Sequence, residues 1–449
     1  MNPSVQSANV NKFFDIYESL SKKHEKKDKR SVFKKKYVLL SAKQYGMKRL
    51  LIGSVFCLSI LGKTGVCAAT VAVVEQTLLS PQAQISLMTC SPTDDNVYTL
   101  YGHSAIRIYD PVTKTDVVYN YGMFDFAQPF FIYRFAKGET DYWVQSYRFE
   151  RYLLEYIGRG SGVYEQVLNL LPEEKEALFQ ALVWNERPEN RVYRYNFFFD
   201  NCATRPVAMI EKYIQGVVKY ALPTEYPTFR DIINYCTRNH PWVTFGCDLV
   251  LGEPTDRKMT QKESFFLPST LQKAFNKAEI ERGHSTVPLV LKTNTFNEED
   301  ALTEPFPSFL TSPIACFSLL LIFLLTITYT EWKRKTHYRW VDIPLFFAAG
   351  MGGLVLYFLS FISVHPCIFP NISILWMHPF HLFGVVLFSL KKYNSMAFRY
   401  HFINFAAILV MSVAWIFIPQ HFNIAFIPLI GSLWLRSGWA LLRKKVSYI

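Results

Sequence analysis

The chain has 449 residues and a net charge of +12, too long for one ordinary domain and basic enough to raise the question of a nucleic-acid partner. Residues 1–46 carry +7, Lys48 and Arg49 add +2 and residues 301–449 carry +8, which leaves residues 50–300 at about −5. A mildly acidic body is no electrostatic match for a phosphate backbone, so the basic balance does not signal nucleic-acid binding.

Residues 1–46 are lysine-rich and nearly structureless by pattern. They read as a cytoplasmic tail or, preferably, as an extension ahead of a true start at Met47. Met47-Lys48-Arg49 then precedes a twelve-residue apolar run over 50–61, and Val66-Cys67-Ala68 supplies small residues for cleavage before Ala69. This is the pattern of a signal peptide (residues 47–68), with an uncleaved N-terminal anchor as the alternative. It predicts that residues 69–301 are exported, and that stretch is long enough to bury its own core.

Within the exported part, residues 98–109 alternate as a strand, 110–116 are dense in turn formers and 117–121 resume the strand, which predicts a β-hairpin. His103 falls near the start of the first strand beside Gly102. Residues 163–170 read as another strand, and Pro172-Glu173-Glu174 opens a helix to about Trp184. Asn201 is a good N-cap, Pro206 is tolerated only in a first turn, and 207–214 continue as helix. Cys202 is thereby expected at a helix start, where the dipole and free N–H groups favour the thiolate and can hold an oxyanion. A histidine on a neighbouring strand can take the thiol proton and return it to a leaving group. Cys90, Cys236 and Cys247 read as buried or disulfide-linked structure, with Cys236–Cys247 a candidate pair. No CxxC pair, GxSxG elbow, Walker A loop or HExxH motif is present.

Residues 302–449 read as a membrane domain with five apolar segments, 308–329, 343–364, 372–390, 402–418 and 425–442. Basic residues follow the first segment (Lys333, Arg334, Lys335, Arg339), the third (Lys391, Lys392, Arg399) and the fifth (Arg443, Lys444, Lys445). The loops after the second and fourth have none. Positive charge marks the cytoplasmic side, so the domain before the first segment lies outside, as the signal segment also requires. The outer loop from His365 to Asn371, followed by His378 and His381, brings polar groups to the side of the exported domain. His365 and Asn371 are the candidate substrate-binding residues. Arg436 in the last segment has a stem long enough to snorkel to the cytoplasmic face.

Five segments carry a resemblance: Ile85–Pro92, Tyr101-Gly102-His103-Ser104-Ala105-Ile106-Arg107, residues 119–126, Phe198-Phe199-Asp200-Asn201-Cys202-Ala203-Thr204-Arg205 and residues 245–252. Together they are similar to the Lnb family of bacterial lipoprotein N-acyltransferases, from about Gln84 to the C-terminus. The resemblance implies an α+β catalytic domain of the circularly permuted papain-like class (NlpC-type, like lecithin:retinol acyltransferase), followed by an all-α five-helix transmembrane domain. It implies Cys202 as nucleophile and His103 as base, with a third polar residue among Tyr119, Asn120 and Tyr121. Hairpin register decides among those three, and Asn120 is the choice made here. Asp200 and Asn201 would flank the nucleophile, and Asp125 would support the hairpin. The implied reaction moves an acyl chain from a membrane phospholipid to a diacylated lipoprotein at the inner membrane, with no metal or organic cofactor. A membrane-anchored cell-wall peptidase or amidase and a non-enzymatic envelope protein are the competing readings.

Overall fold

The computed structural model describes residues 78–221, 228–299 and 308–442. The basic extension, the signal segment and the cluster Arg443-Lys444-Lys445 lie outside the described residues.

The N-terminal part is built on strands β1 (Gln84–Cys90), β2 (His103–Asp110), β3 (Thr115–Met123), β4 (Asp141–Arg148), β5 (Val163–Leu168), β6 (Val192–Arg194), β7 (Val217–Lys219), β8 (Glu279–Arg282), β9 (Ser285–Pro288) and β10 (Val290–Asn297). Its helices are α1 (Phe131–Lys137), α2 (Phe149–Ile157), α3 (Pro172–Glu186), α4 (Thr204–Tyr213), α5 (Phe229–Thr237), α6 (Pro241–Val250) and α7 (Pro268–Asn276). Seven strands form one antiparallel sheet in the order β10-β5-β1-β2-β3-β4-β6, and β7, β8 and β9 form a second. Strand periodicity divides the large sheet into two buried faces. Ile85, Leu87, Ile106, Ile108, Tyr119 and Tyr121 pack against α3, α4 and α7. Met88, Cys90, Ala105 and Val118 pack against Phe149 and Tyr152 of α2. Each large side chain so buried contributes about 1.5–3 kcal/mol of apolar transfer energy.

The predicted hairpin forms with Ala105 opposite Asn120 and Asp110 opposite Thr115. Asp110 Oδ1 accepts the Val112 N–H at 2.9 Å, which closes the turn. Arg107 joins β2 to β3 and, across β1, to β5, bonding Asp116 at 2.8 Å and Glu165 at 3.0 Å, with its guanidinium 3.5 Å from the centre of the Phe149 ring. The first strand starts later than its alternation suggests, because Val97–Tyr101 is a 3-10 turn. Thr99 Oγ1 accepts the Asn96 N–H and donates to the Thr93 carbonyl, so local side-chain bonds win over the strand pattern. Gly102, at φ +76°, then turns the chain into β2, and a Cβ there would sit 2.7 Å from the Cys90 carbonyl.

The C-terminal part is helical: α8 (Pro313–Arg334), α9 (Arg339–Phe361), α10 (Phe380–Ser389), α11 (Asn394–Ala414) and α12 (Phe426–Leu442). Four stretches, Pro313–Arg334, Arg339–Phe361, Ile372–Ser389 and Lys391–Phe417, are long and apolar enough to cross a membrane. The fifth expected span is a shorter apolar helix of 17 residues. The third is interrupted at residues 376–379, where Pro379 withholds a backbone donor ahead of α10.

Arg436 does not snorkel. It is fully buried, held by Glu331 Oε2 at 2.6 Å, Asp342 Oδ1 at 2.5 Å and the Thr328 hydroxyl at 3.0 Å. His337 Nε2 lies 2.9 Å from the other Asp342 oxygen. This cluster ties α12 to the facing ends of α8 and α9.

The helical and sheet-bearing parts are stitched together by backbone and side-chain bonds. Asp248 Oδ1 accepts from Arg230 at 3.1 Å while its Oδ2 accepts from Asn423 at 2.8 Å. The Gly252 N–H donates to the Cys367 carbonyl at 2.9 Å, and a Cβ on Gly252 would come within 2.3 Å of the Pro370 carbonyl.

Replacing Arg436 by Met leaves Glu331 and Asp342 buried without their partner. The expected cost is about 3–5 kcal/mol, read as a lower unfolding temperature of the full chain in detergent. An unchanged unfolding temperature would mean that the acidic pair finds other compensation.

Candidate active site

Cys202 sits where β2 begins and β3 ends. It precedes α4 by two residues, so it is not in the first helical turn as expected. The cap is nevertheless made by Asn201, whose Oδ1 accepts the N–H groups of Ala203 at 2.8 Å and Thr204 at 2.9 Å. Its Nδ2 donates to the carbonyls of Phe197 and Phe266, both at 2.8 Å. Those four bonds freeze the loop. Asp200 makes a bidentate pair with Arg205 at 2.6 and 2.7 Å, and the Arg205 guanidinium lies 3.5 Å from the centre of the Tyr193 ring. Asp125 caps its own turn by accepting the Ala127 N–H at 2.8 Å.

Cys202 is half-buried, and its thiol lies in hydrogen-bonding reach of the Ser104 N–H, its own N–H and the Tyr195 hydroxyl. Gly122 makes room for it. That glycine has φ +91° within an irregular stretch of β3, and a Cβ there would stand 3.6 Å from Cys202 Cβ and 3.5 Å from the Tyr195 ring.

His103 Nε2 is 3.1 Å from Asn120 Oδ1. Asn120 Nδ2 donates to the Val118 carbonyl, so Oδ1 is the free acceptor and the imidazole carries its proton on Nε2. Nδ1 is left as the basic nitrogen. Of the other two candidates for the third residue, Tyr121 sends its hydroxyl to Asn185 at 2.8 Å, and Tyr119 is buried in the core beneath the sheet. The Tyr156 ring stacks on His103 at 5.8 Å and 13° and lies within electrostatic range of Cys202.

Burial pushes the Cys202 thiol up to about 11, against the lowering influence of the Ser104 N–H, its own N–H and Tyr195. Burial also pushes the His103 imidazole down to about 4, against its bond to Asn120 and helped by the charge of Arg159. The resting pair is therefore neutral thiol and neutral imidazole. Desolvation outweighs the expected thiolate stabilisation at a helix start, because the sulfur lies outside the helix's first turn.

Sequence reasoning missed Tyr195 and Tyr156. Both lie in aromatic-rich stretches that read as core packing, and only their placement beside Cys202 and His103 sets them apart. His365 and Asn371 are not gathered around Cys202. His365 Nε2 lies 2.7 Å from the Phe135 carbonyl, and Asn371 donates to the carbonyls of Leu249 and Val250 while accepting from Gln420.

All six cysteines among the described residues are free, including the proposed pair Cys236 and Cys247. Among the described residues no group of three His, Cys, Asp or Glu side chains is arranged to hold a metal ion. A cavity of about 420 Å³ lies among the membrane helices, lined by Phe245, Phe317, Trp340, Leu345 and other apolar residues, and is separate from this site.

Residues 71–235 match the family model described as the Lnb N-terminal periplasmic domain, and residues 305–446 match the Lnb transmembrane domain. No curated protein and no solved structure matches the chain.

Peptide-resolved alkylation of Cys202 is expected to climb steadily from about pH 7 to about pH 10, without the neutral plateau of a low-pKa thiolate. Replacing Tyr195 by Phe removes a bond that lowers the thiol pKa. Alkylation at about pH 9 should then slow by about two- to tenfold, the worth of one hydrogen bond. A plateau near neutrality would overturn the neutral-pair description.

Proposed function

The chain belongs to the Lnb family, with its N-terminal domain in the periplasm and its helical domain in the inner membrane, and from that premise we propose that it is a lipoprotein N-acyltransferase working through a Cys202 thioester. The observation that supports this reading is the presence, at the end of the large sheet where β2 begins and β3 ends, of the Cys202 thiol with N–H and O–H groups in reach and of the hydrogen-bonded His103–Asn120 pair. The order of His103 before Cys202, and the packing of the antiparallel sheet on α4, the helix that follows Cys202, support a circularly permuted papain-like fold.

In the first step Cys202 Sγ attacks the ester carbonyl of a phospholipid while His103 Nδ1 takes the thiol proton. The Cys202 N–H and the Tyr195 O–H receive the developing oxyanion. Collapse breaks the ester C–O bond, and His103 returns its proton to the departing lysophospholipid alkoxide. In the second step the free α-amino group of a diacylglyceryl-cysteine attacks the thioester carbonyl. His103 takes the amine proton, the C–S bond breaks and the thiolate is reprotonated, leaving an amide. Asn120 holds the imidazole in the tautomer that keeps Nδ1 basic and supports the imidazolium that forms transiently. A pKa near 4 keeps the imidazole unprotonated across the physiological range, the form a general base starts from.

The test is intact mass spectrometry of a model lipoprotein's N-terminal peptide, from a host without its own N-acyltransferase that expresses this chain. The wild type should add one fatty-acyl mass, and Cys202→Ala should add none. His103→Ala should cut the rate by about 10²–10⁴-fold, and Asn120→Ala by less. If the well-expressed wild type leaves the lipoprotein diacylated, the acyltransferase reading falls. The membrane-anchored peptidase or amidase then takes its place.

A further inference from the structure

Directly after β3, which carries Asn120 and Gly122, the chain runs through Phe124, Phe126, Phe130 and the short helix α1. α1 buries none of its residues. Phe130 is 81% and Ile132 83% exposed, and Phe126, Tyr133 and Phe135 are exposed beside them. Phe130 holds φ +55°, a left-handed conformation that a bulky aromatic residue rarely adopts, and so keeps its ring turned outward. The basic side chains of the helix are drawn away from this face, Arg134 to Asp141 at 2.6 Å and Lys137 to Glu139 at 2.7 Å. A soluble domain does not ordinarily leave so compact an apolar patch in water.

Two further observations say what covers it. The patch is continuous with a membrane-spanning helix: Tyr133 lies 5.9 Å from the ring of Phe358 in the last turn of α9, and the Val364 N–H donates to the Lys137 carbonyl at 2.9 Å. Gly138 closes the contact, since a Cβ there would press on His365 N at 3.1 Å. α1 is thus fixed at the level where α9 leaves the hydrocarbon. Behind it, rings stand in an unbroken row toward the nucleophile. Phe131 meets Phe126 at 4.9 Å, Phe126 meets Phe124 at 4.7 Å, Phe124 meets Tyr142 at 5.1 Å and Tyr142 stacks on Tyr195 at 4.3 Å. Tyr195 in turn lies in hydrogen-bonding reach of the Cys202 thiol.

We propose that residues 126–135 form an interfacial element immersed in the periplasmic leaflet, and that the aromatic row behind it conducts the acyl chain of a bilayer phospholipid to Cys202. Aromatic rings suit the headgroup–acyl boundary, being apolar enough to enter it and rigid enough to guide a chain. The immersion stands on geometry alone, whereas the conducting role rests on the acyltransferase reading.

The experiment places the photoreactive residue p-benzoylphenylalanine at Ile132, and in a second variant at Phe130. The full chain, carrying Cys202→Ala to remove turnover, is reconstituted in phosphatidylethanolamine–phosphatidylglycerol vesicles. Val112, exposed in the β2–β3 turn at the opposite end of the strands from His103, is the control position. Illumination should give a phospholipid adduct at 132 and 130 and none at 112. Absence of lipid adducts at both, or cross-links to a second copy of the chain in their place, overturns the proposal. Because cross-linking needs no catalysis, lipid adducts in the Cys202→Ala chain, found together with a wild-type chain that leaves the lipoprotein diacylated, would keep the immersed surface and reject the conducting role.

Discussion

Asp248 spends its two oxygens in opposite directions, one on Arg230 of α5 and the other on Asn423 ahead of α12. The arrangement of catalytic domain on membrane domain depends on this buried junction. Arg230 is itself almost fully enclosed, and its guanidinium also reaches Asp256 and the carbonyls of Leu251 and Gly252. An ion pair so buried is tolerable only when every donor and acceptor is used, and here the surplus bonds run to backbone on both sides. Gly252 then lets two backbones approach more closely than any side chain would allow. Asn371 and Gln420 complete the joint by donating to the carbonyls that end α6 and follow it. The result is a catalytic domain pinned at a set height rather than swinging on a linker. That suits the proposed reaction, in which both reactants are themselves held in a bilayer.

The electrostatics of the site follow from the same enclosure. Walls that exclude water raise the thiol and lower the imidazole, so neither group is charged at rest. In the proposed reaction, charge appears only as His103 takes the proton of the attacking thiol or amine. An ever-present thiolate beside a bilayer would be open to alkylation and oxidation, whereas a neutral thiol is protected until a substrate carbonyl arrives. The Cys202 N–H, a donor to the oxyanion in the proposed reaction, is fixed beforehand by the Asn201 cap, which orients the Cys202 loop with four bonds.

What the sequence could reveal followed from how local each signal was. The β2–β3 hairpin was legible because turn formers interrupt a clear alternation, and the apolar helices were legible from hydropathy. Asn120 was a choice among three neighbours, since a one-residue slip would have turned a tyrosine toward His103 instead. Its pairing opposite Ala105, which shares a sheet face with His103, is a tertiary outcome. The 3-10 turn at Val97–Tyr101 was hidden by strand-like alternation, because the Thr99 bonds that form it are invisible to periodicity. Arg436 looked like a snorkelling side chain until its acidic partners arrived from α8 and α9, over 90 residues earlier in sequence. Tyr195 and Tyr156 were unreadable as site residues, because among 26 tyrosines nothing local distinguishes them.

The exposed aromatic segment and the enclosed catalytic pair are consequences of one strand. β3 supplies Asn120 to the imidazole and Gly122 to the thiol, then leaves the sheet through Phe124 into α1. Along some fifteen residues the chain passes from the buried Asn120 to the exposed rings of Phe130 and Phe135. A strand that ended at the catalytic groups would leave them facing water, where a thioester meets hydrolysis. Continuing into an aromatic surface at the level of the membrane turns the open side of the site toward lipid, the medium in which the ester and the amine of the proposed reaction are both anchored.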